Sequence, residues 1–94
     1  MDLAESRIEV AKIDKEIIRL IGRRLDLARE IYLAKVNIRA PIEDPVQEKV
    51  VVDRAIDLAT EEGIDAGDVK EIFRILIRMN LAKQHAMRGD EDSS

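Results

Sequence analysis

Residues 2–37 read DLAESRIEVAKIDKEIIRLIGRRLDLAREIYLAKVN, and this run decides the fold. Asp2 and Glu5 stand at capping-box spacing, so a helix opens there. Val10, Ile13, Ile17, Leu20, Ile21, Leu27, Ala28 and Ile31 recur along one face of an α-helix. At ~1.5 Å rise per residue, some 35 residues make a rod of roughly 50 Å. A compact domain of this size has a radius of gyration near 13 Å, about a quarter of that length. The rod overhangs, and its apolar face needs cover along its whole length. A second copy of the chain is the simplest cover.

Two further helices complete an all-α reading. Pro41 breaks the first, and residues 38–44 form a loop. Asp44-Pro45-Val46-Gln47 then starts a second helix, with Asp44 at the N-cap, Pro45 in the first turn and Gln47 at the reciprocal capping position. Val46, Val50, Val51, Ala55, Leu58 and Ala59 give it an apolar stripe, and Gly63 stops it. Asp65 caps a third helix whose stripe runs Val69, Ile72, Phe73, Leu76, then Asn80, Gln84 and Met87. Residues 1–89 read as one helical domain. Residues 90–94 (DEDSS) read as an acidic, disordered tail.

Composition narrows the chemistry. The 94 residues are 46% hydrophobic and 38% charged, with two aromatics, so aliphatic side chains must fill the core. A net charge of −4 without any basic run argues against a nucleic-acid surface. With no cysteine, thiolate metal sites, disulfides and cysteine nucleophiles are excluded. His85 is the single histidine, which leaves little for a histidine metal cluster or a Ser-His-Asp arrangement. No signal peptide or membrane-spanning run stands out, and the expected compartment is the cytoplasm.

Four polar residues interrupt the apolar stripes: Arg24, Lys35, Asn80 and Gln84. Cations and amides facing a helical interior are costly unless something pairs with them. Arg24 and Lys35 share a face, three turns or roughly 16 Å apart. Asn80 and Gln84 lie one turn apart, as do Asp44 and Glu48. Together they suit a small anionic ligand rich in oxygen. Other readings of the same residues stay open. Arg24 could be a boundary arginine with a packed stem and Lys35 a solvated residue at a helix C-terminus. Asn80 and Gln84 could form a closed core network. Glu48, Arg7 and His85 could be ordinary surface groups, and Asp44 and Gln47 only a cap.

The order of residues resembles a known family. Arg7 is followed by Ile13-Asp14, Arg23-Arg24, Leu27-Ala28 and Ala34-Lys35. Pro41-Ile42, Asp44, Glu48 and Phe73 come next, then Asn80 and Gln84. Across residues 3–88 this resembles the all-helical chorismate mutases. The resemblance implies an intertwined helical homodimer with two active sites. It implies conversion of chorismate to prephenate, on the route to phenylalanine and tyrosine, with no metal or organic cofactor. It also implies roles. Arg24 binds one carboxylate, and Arg7 from the other subunit binds the second. Lys35 and Gln84 donate to the ether oxygen. Glu48 and the backbone around Asp44 hold the ring hydroxyl, and Asn80 contacts a carboxylate. Gln47 departs from the pattern, since many members carry an arginine there. An isochorismate-pyruvate lyase on the same fold and a non-enzymatic helical dimerisation module are the alternatives.

Overall fold

The computed structural model describes residues 1–92, with side-chain surroundings through residue 89. It consists of α1 (Leu3–Ile38), α2 (Pro45–Glu61) and α3 (Ala66–Asp92). The Asp2 carboxylate accepts the Glu5 N–H at 2.8 Å and satisfies one of the free donors of the first turn. Asp44 does the same for Gln47 at 3.1 Å, and Asp65 for Asp68 at 2.9 Å. All three helix starts are therefore where the sequence puts them.

The helix ends divide. α2 stops at Gly63, whose φ of 69° is the left-handed conformation that glycine adopts without a Cβ clash. α1 ends on Arg39, which takes the same region (φ 57°) without being glycine. That conformation closes the last carbonyls: the Arg39 N–H donates to Val36 and the Ala40 N–H to Lys35 at 2.8 Å. Gly89 does not end α3, contrary to the sequence reading. The helix continues through it to Asp92, because glycine weakens a helix by only about 1 kcal/mol. Of the expected tail, residues 93 and 94 lie outside the described residues.

α3 packs against both α1 and α2, which do not pack on each other. The core this makes is thin. Ala28, Tyr32, Ile42, Ala55 and Ala59 are its buried apolar residues among those described. Most of the α1 stripe is exposed, including Val10 (55%), Ile13 (58%) and Ile17 (49%). The molecule is accordingly long, 55 × 28 × 16 Å, with a radius of gyration of 16.7 Å. Its accessible surface is 7352 Å². A folded monomer of this mass exposes only about 5,500 Å².

Candidate active site

The site is built where the C-terminal half of α1, the loop 39–44, the start of α2 and the middle of α3 meet. Ile42, 1% exposed, anchors the loop. Its carbonyl accepts a hydrogen bond from the Lys35 ammonium. Lys35 Nζ also donates to Gln84 Oε1 at 3.0 Å, and Gln84 Nε2 donates to Asn80 Oδ1 at 2.6 Å. Gln84 is 2% exposed and is the buried polar residue of the described chain. Three of the four residues that break the apolar stripes therefore form one hydrogen-bonded row across α1 and α3.

This row has capacity left over. An ammonium has three donors and Lys35 spends two. The Gln84 amide has two and spends one. Among the described residues Asn80 uses only its oxygen. Arg24 completes the picture. Its guanidinium carbon lies 5.7 Å from the centroid of the Phe73 ring on α3, a cation–π distance. Its Nε is buried and has no hydrogen-bond partner among the described residues. A buried, unsatisfied cationic donor is costly, and an oxyanion would relieve it.

These groups line one cavity of about 530 Å³, within the range of small-molecule sites. Arg24, Lys35, Asp44, Gln47, Glu48, Asn80 and Gln84 all contribute to its wall, with Leu27, Ile31, Ile42, Val51, Ile77 and Leu81 as apolar surface. Seven of the eight residues singled out from the sequence thus meet in one place. Arg7 does not. It is exposed and lies 17 residues before Arg24, about 25 Å along a straight helix. A groove of about 550 Å³ on the other side of Glu48 carries Lys70, Arg74 and Arg78, but none of the orphaned donors.

Two details differ from the sequence reading. Gln47 makes no side-chain hydrogen bond back to the cap among the described residues and lines the cavity instead. His85 is exposed, yet it hydrogen bonds to Glu43 of the loop. That bond, above all, holds the Glu43 carboxyl below its ordinary value, with a lesser attraction from Arg88. Sequence reasoning missed Arg54, which also lines the cavity. The signal was present: Gln47, Val51 and Arg54 follow helical spacing on one face of α2.

Among the described residues no group of three or more His, Asp or Glu side chains is arranged to hold a metal ion. No described helix is long and apolar enough to cross a membrane. What remains is an all-helical protein whose pocket is lined by three cations, Arg24, Lys35 and Arg54, and three amides, Gln47, Asn80 and Gln84, alongside apolar side chains. Comparison with known proteins makes this specific. The sequence profile of chorismate mutase type II matches residues 6–85, and the chain belongs to that family. It is 39% identical over 82 residues to the chorismate mutase of Methanocaldococcus jannaschii, covering 87% of this chain and 83% of that protein. It is 26% identical over 81 residues to the bifunctional chorismate mutase/prephenate dehydratase of Escherichia coli K12. The corresponding enzyme of Aquifex aeolicus is 35% identical over 60 residues. The chain spans 21% and 17% of the length of these two bifunctional proteins.

Proposed function

We propose that this chain is a chorismate mutase, an isomerase that converts chorismate to prephenate in aromatic amino acid biosynthesis. The reaction is a pericyclic rearrangement within one molecule. An ether carbon–oxygen bond breaks as a carbon–carbon bond forms, and no atom enters or leaves. It needs no nucleophile and no proton transfer. Two physical contributions suffice. One is holding a flexible dianion in its folded, reactive shape, so that its conformational freedom is lost on binding rather than at the barrier. The other is stabilising the negative charge that gathers on the ether oxygen as the bond breaks.

The observation that carries this reading is the Lys35–Gln84 pair. They are joined at 3.0 Å from helices far apart in sequence, both line the cavity, and each has a donor not spent among the described residues. Both are oriented by bonds to protein groups, Lys35 by the Ile42 carbonyl and Gln84 by Asn80. Fixed donors of this kind need no reorganisation when charge develops. In this reading they meet the ether oxygen. Arg24 takes a carboxylate with its guanidinium, whose buried Nε has no partner among the described residues, a geometry that suits a planar fork. Asn80 adds its free N–H groups to a carboxylate. Glu48, beside the Asp44 cap, accepts from the ring hydroxyl, and Gln47 offers a neutral amide on the same wall.

The active form in this proposal is an intertwined homodimer, located in the cytoplasm. The exposed surface supports the pairing. The surface exceeds that of a folded monomer by a third, and most of the exposed large apolar side chains lie on α1. In this reading Arg7, too far from Arg24 to share a ligand within one chain, reaches the second carboxylate from the partner copy.

The experiment is direct. Purified protein is given chorismate while the loss of its ultraviolet absorbance is followed, with and without a chelator, and the product is identified by chromatography. Isochorismate is assayed in parallel. Prephenate formation insensitive to chelator is expected. Pyruvate released from isochorismate, with chorismate untouched, would overturn the assignment in favour of a lyase.

A further inference from the structure

Arg54 has no role in the site as described so far. It lies three residues after Val51 and seven after Gln47, on the cavity face of α2. It is exposed, and no carboxylate pairs with it among the described residues. Asp57, one turn further along α2, is near enough in sequence to do so and does not. Asp53, its neighbour, is engaged by Lys49 instead.

The course of the helices fixes the end of the cavity at which Arg54 sits. Arg24 meets Phe73, and Lys35 meets Gln84, so α1 and α3 run in the same direction. α2 joins α3 through the short turn at 62–65 and runs against both. Arg54 is ten residues past Asp44, about 15 Å along α2, and Arg24 is eleven before Lys35, about 16 Å along α1. Both arginines therefore sit toward the Phe73 end of the cavity, opposite the Lys35–Gln84 donors.

Charge points the same way. Without Arg54 the cavity wall carries two cations, Arg24 and Lys35, against two carboxylates, Asp44 and Glu48. A neutral pocket offers a dianion no net attraction. Arg54 makes this chain's wall cationic. An arginine of a second copy would then balance the guest.

We propose that Arg54 is a substrate-binding residue, gripping a carboxylate of the dianion from the α2 wall opposite Arg24. This rests on the chorismate mutase reading above. The test is steady-state kinetics of wild type, Arg54→Gln, Arg54→Lys and the double variant Gln47→Arg/Arg54→Gln, with thermal melting of each. A hydrogen bond to a charged group is worth enough that Arg54→Gln should raise KM about tenfold to a hundredfold. Its kcat should stay within about threefold and its melting temperature should be preserved, because the donors at the ether oxygen are untouched. Arg54→Lys should recover part of the loss, and so should the double variant, which returns a cation to the same face. A KM for Arg54→Gln equal to that of wild type would overturn the role, as would a fall in kcat and melting temperature at unchanged KM. A wild-type protein that leaves chorismate unchanged overturns the functional reading itself, and this role with it.

Discussion

In the first half of α1, residues 3–20, no side chain is buried, and Val10, Ile13, Ile17 and Leu20 stand 48–58% exposed. In the second half, residues 21–38, Ala28 and Tyr32 enter the core, and Arg24 and Lys35 reach the cavity. The apolar rhythm is the same in both. The difference teaches that a helical stripe reports which face must be covered, and is silent on which chain covers it. An isolated helix without tertiary contacts is marginal in water. The unburied half of α1 is therefore the part that most needs a partner, and it carries Arg7.

The sharpest way to break this contrast is to put charge on the exposed half. Ile13→Glu with Ile17→Glu is expected to convert a dimer to monomer in analytical ultracentrifugation and to abolish nearly all turnover. A variant that still sediments and reacts like wild type would show that the stripe is merely solvated. The second half is tested by Lys35→Ala. Loss of one preorganised donor of this type typically lowers kcat about a hundredfold to a thousandfold. Near-normal turnover in the folded variant would remove Lys35 from its role. Gln47→Arg is a milder probe, expected to leave kcat near wild type and to lower KM or leave it unchanged. A large loss of kcat would show that the glutamine amide does more than line the wall.

The smallest effect concerns the loop that links α1 to α2 at the cavity wall. Glu43 is held below its ordinary pKa of 4.5, chiefly by its hydrogen bond to His85. A carboxyl with a lowered folded pKa adds stability that is present above 4.5 and is lost as pH falls through the lowered value. Both groups are exposed, so the contribution is slight. His85→Ala should let the Glu43 carboxyl return toward 4.5 in an NMR titration. A midpoint that stays low would assign the shift to the loop backbone instead.

Much of the fold could be read from the sequence because it rests on local chemistry. Asp2, Asp44 and Asp65 announce helix starts through the spacing of the donors they accept, and Gly63 announces an end through its φ. Arg39 could not be foreseen as the α1 terminus, because its left-handed conformation is imposed by closure of the Lys35 and Val36 carbonyls. Gly89 misled, since a single glycine does not stop a helix that its neighbours sustain. Arg24, Lys35, Asn80 and Gln84 stood out as candidates because polar groups on an apolar face call for a partner. Arg54 did not, since an arginine on a helix rich in charge looks solvated until the opposing wall is known. The bond between His85 and Glu43 spans 42 positions and has no local signal.

The division of labour along α1 is tested most directly by mixing Arg7→Ala with Arg24→Ala. Each homodimer should be nearly inactive, because every site lacks one carboxylate grip. After subunit exchange, half of the dimers are hybrids with one intact site each, so activity should recover to roughly a quarter of wild type. Mixtures that exchange subunits, shown by mass-tagged chains, yet stay inactive would contradict a site shared between two copies.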